Sequence, residues 1–192
     1  MCENKNILLC GVGGQGTILA SKILSYALVE SGYDVKMSEI HGMSQRGGSV
    51  VTQVRFGKKV YSPIIGKGSA DILVSFEAME TMRYLYQLRP QGVAVVNSCM
   101  IPTATTLSGK QEYPMDILDR VDAAVKTKVV DASAIALELG NEKSMNIVML
   151  GALVKLMGLE ALYWDNAIAA CMKPKFVELN KKAFAAGMAA VE

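Results

Sequence analysis

The chain has 192 residues, a formal net charge of +2, 51% apolar residues and 20% charged ones. That length and apolar share support a single domain with a real core and exclude disorder as the ground state. The balanced charge gives no electrostatic footprint for nucleic acid, and no apolar run reaches the roughly 20 residues that a bilayer demands.

The first residues, Met1-Cys2-Glu3-Asn4-Lys5, lack the charged, apolar, small-residue order of a secretion signal, so a cytoplasmic protein is expected. The cysteines at 2, 10, 99 and 171 form no C-x-x-C pair, and there is one histidine. Neither a zinc site nor a self-contained iron–sulfur cluster is expected.

Residues 6–10 read as a buried strand and enter Gly11-Val12-Gly13-Gly14-Gln15-Gly16. Thr17–Glu30 reads as a helix, with Ile23/Ala27 and Leu24/Leu28 at helical spacing and Gly32 as its stop. A second strand covers 34–38. The loop Glu39-Ile40-His41-Gly42-Met43-Ser44-Gln45-Arg46-Gly47-Gly48 follows, where a nucleotide-binding βαβ unit would enter a helix. Residues 49–56 alternate as a half-buried strand. Gly57-Lys58-Lys59 turns them toward Val60-Tyr61-Ser62, so a hairpin inserted in a mostly parallel sheet is expected.

The α/β rhythm then resumes. A strand is expected over 70–76 and a helix over 77–88 with Met79, Met82, Leu85 and Leu88 on one face. After a turn at 90–92, a strand covers 93–97, loop 101–113, a short helix 115–121 and a last strand 128–131. Asp131 caps a helix that Gly140 ends. Helices over 144–157, 165–171 and 174–186 complete the chain. The first is apolar nearly all round, which means core or subunit interface, and Gly151 and Ala152 permit close approach. The expected architecture is a three-layer α/β/α, Rossmann-like single domain over 1–192, with a mixed, mostly parallel sheet and a helical C-terminal third.

The spacing Gly11, Gly13, Gly16 fits the dinucleotide fingerprint G-x-G-x-x-G. Glycines let an anion approach the backbone, and the next helix offers free N–H groups; the alternative is a tight turn without a ligand. Glu39 stands where an acid would meet an adenosine ribose, or is an ordinary loop carboxylate. Arg46 suits a carboxylate or phosphate, or an ion pair. His41 is a proton carrier or an ordinary hydrogen-bonding residue. Lys58-Lys59 is a solvated tip or a contact for an acidic partner. Cys10, at the end of the first strand, reads as a small buried residue. No nucleophile–base set, H-E-x-x-H or P-loop is present, so the chain reads as part of a larger machine.

Gly11-Val12-Gly13-Gly14-Gln15-Gly16, followed by Arg46-Gly47-Gly48 and a strand ending Val54-Arg55, resembles the gamma domain of 2-oxoacid:ferredoxin oxidoreductases. The fuller string from His41 to Ser49 is most similar to the beta subunits of the indolepyruvate type. Gly68-Ser69-Ala70-Asp71, residues 77–80 and Asn146-Ile147-Val148-Met149-Leu150-Gly151 extend the resemblance over essentially the whole chain. It implies a holoenzyme that converts an aryl pyruvate, coenzyme A and oxidised ferredoxin into an aryl acetyl-CoA, carbon dioxide and reduced ferredoxin. Thiamine diphosphate, Mg2+ and iron–sulfur clusters are then expected on a large alpha subunit, with no cofactor held firmly here and no activity of this chain alone. The implied partners are that alpha subunit, ferredoxin through the holoenzyme and coenzyme A, with no nucleic acid or membrane. Gly11, Gly13, Gly14, Gln15, Gly16 and Thr17, with Arg46, Gly47 and Gly48, are the expected contact residues. Two alternatives stay open: a gamma subunit for pyruvate, 2-oxoglutarate or a branched-chain 2-oxoacid, and a stand-alone NAD- or FAD-binding module.

Overall fold

A computed structural model describes residues 4–42 and 47–191. Among them, six strands form one sheet: β1 (Lys5–Val12), β2 (Asp34–His41), β3 (Ser49–Gly57), β4 (Ala70–Ser75), β5 (Leu88–Asn97) and β6 (Lys126–Val130), in the order β2-β3-β1-β4-β5-β6. β1, β4, β5 and β6 pair in parallel. β3 runs antiparallel to both neighbours, with Cys10 opposite Val51 and Met37 opposite Val54. The sheet is therefore mixed and mostly parallel, as expected.

Side chains alternate along β1, so the two faces bury different residues. Ile7 and Leu9 join Val54, Phe56 and Val74 beneath α1 (Thr17–Glu30) and a set of C-terminal helices. Leu8 and Cys10 join Val51, Leu73 and Ala94 on the other face, against Val121. That second layer holds α2 (Ala78–Tyr84) and α4 (Ile117–Ala124); a single turn, α3 (Ala104–Leu107), lies in the segment expected to be loop. The layers are α/β/α.

The first layer also contains α5 (Ala132–Glu138), α6 (Met145–Met157), α7 (Trp164–Cys171) and α8 (Pro174–Ala189). The apolar α6 is core: Met145 to Val154 are all buried. Its Gly151 meets the backbone of Phe184 and Met188, while Gly187 of α8 meets that of Val148, so neither position leaves space for a Cβ. Trp164 stacks on Phe184 at 5.2 Å between ring centroids and closes this end.

Three expectations are corrected. The partner of β3 in the hairpin is β2, and Val60-Tyr61-Ser62 is not a strand. Its backbone is satisfied by side chains: Asp34 accepts from Val60 N–H at 2.9 Å, and Arg55 donates to the carbonyls of Ser62 and Ile64. The helix expected over 77–88 is shorter, a seven-residue α2 and a 3-10 turn at Leu85–Gln87, because Leu88 already pairs with Ala70. Its buried face carries Ala78, Glu80 and Thr81, whereas Met82 is exposed. The expected turn at 90–92 lies inside β5, where pairing moves from Ala70/Leu88 directly to Ile72/Val93 and leaves Pro90 outside the ladder.

Candidate functional site

The chain leaves β1 through α1 toward β2 on one side, while β4, β5 and β6 extend the sheet on the other. The strand order thus reverses at β1/β4, and a crevice opens beyond the C-terminal ends of those strands, as open α/β sheets provide. The glycine turn lies at this point.

Gly16 stands immediately before α1 with φ +82°, a conformation that favours glycine. Its carbonyl begins the helix by accepting from Ala20 N–H at 3.1 Å. It also accepts from Asn146 Nδ2 at 3.1 Å, and the Asn146 side chain occupies the space that a Cβ on Gly16 would need. No side chain caps α1 and no acid occupies its first turn. Among the described residues no side chain takes up its first N–H groups, and the helix end is electropositive.

Gln15 is committed to the protein. Its Oε1 accepts from Val12 N–H at 2.7 Å, and its Nε2 donates to the Phe76 carbonyl at 2.8 Å. That carbonyl also accepts from Asn97 Nδ2 at 3.1 Å, and Asn97 Oδ1 takes Ala132 N–H. The turn is thus tied across the ends of β1, β4 and β5 to the start of α5.

The two glycine motifs meet through their backbones. Gly13 N–H donates to Gly48 O at 2.8 Å, and Gly47 N–H donates to Gly13 O at 3.3 Å. Arg46 falls outside the described residues. Ser49, next in the chain, donates to Glu80 Oε2 at 2.5 Å and lies 3.1 Å from the Tyr84 hydroxyl. Arg83 Nε satisfies the other oxygen of Glu80 at 3.0 Å. One turn earlier, Glu77 accepts from Tyr113 OH at 2.5 Å, from Ile101 N–H at 3.1 Å and from Glu80 N–H at 2.9 Å. Two buried carboxylates therefore pin the segments on either side of the glycine turn: Glu80 holds the start of β3, and Glu77 holds the strap from Ile101 to Tyr113.

On one side of the turn, a cleft of about 390 Å³ is lined by Gly14, Gly16, Cys99, Ser133, Lys143 and Asn146, among others. Burial pushes the Cys99 thiol up; the Ser133 hydrogen bond offsets part of this, and Glu77, Glu142 and Asp131 add smaller raising contributions. Burial, then the Glu77 hydrogen bond, pushes the Tyr113 phenol far above the ordinary phenolic range. On the other side of the turn, a cleft of about 310 Å³ is lined by Gly13, Gly14, Gly16, Thr17, His41 and Val50. Glu39 and His41 close β2, and one oxygen of Glu39 is buried without a partner opposite the equally unpaired Thr52 hydroxyl. β3 separates β2 from β1, placing this end two strand spacings, about 9.5 Å, from the glycine turn's own strand. A dinucleotide fold keeps those strands adjacent so that the terminal acid reaches the ribose.

The remaining candidates are structural. Cys10 is fully buried and donates to Ser75 Oγ at 3.3 Å, and burial raises its thiol far above the usual range. Lys59 pairs with Asp34 at 3.7 Å. Cys10, Cys99 and Cys171 lie apart, and among the described residues no group of three ligating side chains converges. This donor set does not fit an iron–sulfur cluster. Asn146, Glu77 and Glu80 are site-building residues that the family resemblance covers but to which sequence reasoning assigned no role. The available signal was chemical: an amide at the head of an otherwise apolar helix, and two acids one helical turn apart after a buried strand.

Residues 6–190 match the family model described as pyruvate ferredoxin/flavodoxin oxidoreductase. The chain is 37% identical over 195 aligned residues to the indolepyruvate oxidoreductase subunit IorB of Pyrococcus horikoshii, covering 97% of this chain and 96% of that protein. It is 36% identical to the subunit of that name from Methanothermobacter thermautotrophicus, covering 97% of each. The crystal structure of a keto/oxoacid ferredoxin oxidoreductase gamma subunit from Geobacter sulfurreducens is similar with a TM-score of 0.72 and 28% identity, over 97% of this chain and 98% of that one. The fold also recurs within 31% of a longer chain, the 2-oxoglutarate:ferredoxin oxidoreductase of Magnetococcus marinus, at a TM-score of 0.77 and 19% identity. The chain belongs to the pyruvate ferredoxin/flavodoxin oxidoreductase family.

Proposed function

We propose that this chain is the small subunit of an indolepyruvate:ferredoxin oxidoreductase, supporting the oxidative decarboxylation of aryl pyruvates with coenzyme A to aryl acetyl-CoA, carbon dioxide and reduced ferredoxin. The substrate class rests on relatives named for indolepyruvate at 35–37% identity, against 26–29% for relatives named for pyruvate. Residues 1–192 act as one gamma-type unit in the cytoplasm, bound to a large alpha subunit. Thiamine diphosphate, Mg2+ and iron–sulfur clusters supply carbanion and electron chemistry on that subunit.

The observation that carries the role of this chain is the backbone junction of Gly13 with Gly47 and Gly48. It holds Gly47 and Gly48 against the glycine turn that opens α1. Gly11, Gly13, Gly14 and Gly16 let a phosphate-bearing ligand approach the N–H groups of Thr17 and its successors. Asn146 donates to the Gly16 carbonyl and Gln15 accepts from the Val12 N–H, so both side chains hold the turn in shape. Lys143 adds a cation at the rim. The coenzyme A phosphates are the ligand that this arrangement suits, and Arg46 lines the junction with the alpha subunit.

The test replaces Arg46 with Ala in the assembled enzyme. A raised KM for coenzyme A, loss of subunit co-elution, or both, is expected. Normal coenzyme A saturation together with normal co-elution refutes the role of this loop.

A further inference from the structure

A third cleft, of about 310 Å³, lies between α1, the head of α6 and the turn that joins α7 to α8. At this head stands Ser144, 1% exposed, which makes no capping hydrogen bond; its Oγ is buried without any partner. A lone buried hydroxyl is unfavourable unless something supplies an acceptor or donor. Two further polar side chains that are nine-tenths or more buried, Asn146 and Asn180, line the same cleft. Both of their amide nitrogens are occupied, by the carbonyls of Gly16 and Phe176.

The rim and walls narrow the chemistry. Lys143 and Lys173 stand on the rim, neither forms a salt bridge among the described residues, and no acidic side chain lines the cleft. Leu19, Met172 and Phe176 provide apolar walls. Lys175 sits over the Phe176 ring, 4.8 Å from its centroid, and adds positive charge outside the mouth. A fully hydrated anion such as phosphate would leave oxygens facing apolar wall, which is costly. A carboxylate carried on a compact apolar body uses all three features: cations at the rim, a waiting hydroxyl and greasy walls. The volume is at the lower end for small-molecule pockets, so the ligand is small.

We propose that this cleft binds a small organic monocarboxylate, with Ser144 Oγ donating to it and Lys143 and Lys173 neutralising it. The cleft adjoins the glycine crevice, and Leu19, Lys143 and Asn146 line both. Ser144 and Lys173 line this cleft and not the crevice, so the proposal stands whether or not coenzyme A lies at the glycine turn.

Calorimetric titration of the full-length chain with phenylacetate, phenylacetamide and inorganic phosphate tests this. Phenylacetate saturates with a Kd of roughly 0.1–5 mM, as expected for about ten non-hydrogen atoms. Neutral phenylacetamide binds at least about fivefold more weakly, and added salt weakens phenylacetate alone. Ser144→Ala weakens phenylacetate about tenfold, the size expected for a hydrogen bond to a charged group. The same substitution leaves the unliganded Tm unchanged or raised, because it removes an unsatisfied hydroxyl, so misfolding does not confound the result. Lys143→Ala combined with Lys173→Ala removes the salt dependence. Absence of saturable phenylacetate binding, binding indifferent to Ser144→Ala, or preferential binding of phosphate would each overturn the proposal.

Discussion

Two regions of the molecule depend on glycine, for opposite physical reasons. At the β1–α1 turn, Gly16 adopts a positive φ and lines a crevice at the start of α1. Between α6 and α8, Gly151 and Gly187 bring two helix backbones into contact and seal them from any ligand. The turn makes backbone available; the helix crossing makes it inaccessible. Damage at the first should appear mainly as lost binding, and damage at the second mainly as lost stability.

The largest expected effect tests the second half of that contrast. Gly187→Ala places a methyl against the carbonyl of Val148, which is backbone and cannot rotate away. Forced separation of α6 from α8 costs about 2–3 kcal/mol, measured as a shift in urea midpoint with unchanged m-value. Coenzyme A affinity in the folded fraction stays within about twofold, since a 0.4 kcal/mol change corresponds to that ratio. A variant with normal stability and lost affinity would break the contrast.

Gly16→Ala is the converse case. The left-handed conformation costs a non-glycine residue about 1–2 kcal/mol, and the methyl displaces Asn146 from the Gly16 carbonyl. The expected destabilisation is smaller than at Gly187, while the KM for coenzyme A rises at least about tenfold, the 1.4 kcal/mol expected from losing one charge-assisted contact. Asn146→Ala should follow the same pattern more weakly, because it frees the turn without straining it.

Much of this was legible in the sequence, and the limits have physical causes. Thr17–Glu30 matches the expected helix at both ends, because glycines bracket a run with clear i, i+4 spacing. The family motifs also located the crevice, since the glycine turn is local in sequence. The pairing of β3 was not legible: Val60-Tyr61-Ser62 has the composition of a strand, and only the long-range claim of Asp34 and Arg55 on the backbone nearby removes it from the ladder. The roles of Glu77 and Glu80 were not legible for the same reason. An acid on a short helix normally faces water, and these two are buried only because Ser49, Tyr113 and Ile101 arrive from distant segments to satisfy them. Gly187 similarly acquires its meaning from α6, which packs on it through the backbone of Val148, 39 residues earlier.

Ser49→Ala tests whether Glu80 positions the glycine junction or only stabilises the core. The substitution removes the donor to a carboxylate oxygen in a half-buried setting, with an expected loss of about 1 kcal/mol. If the junction is positioned from Ser49, the KM for coenzyme A rises several-fold at nearly constant kcat, and Ser49→Thr, which restores the hydroxyl, rescues it. A stability loss of the same size with an unchanged KM would confine Glu80 to the core and narrow the binding region to the turn itself.

The smallest effect concerns the strap on the other side of the turn. Burial and then Glu77 raise the Tyr113 phenol in the folded chain. Below about pH 10, the ordinary phenolic value, Tyr113 is neutral whether the chain is folded or not, and its contribution to stability is fully present. Above that, the unfolded chain ionises first, so stability falls as pH rises toward the folded value. Tyr113→Phe should therefore lower stability by roughly 0.5–1 kcal/mol in the neutral region, where the contribution is present, and flatten the alkaline limb, where it is lost. Phenolate absorbance gives an independent reading: the variant should lack the last tyrosine to ionise before unfolding. If the alkaline limb is identical in both proteins, Glu77 does not latch the strap through Tyr113, and Ile101 alone ties that segment to the crevice.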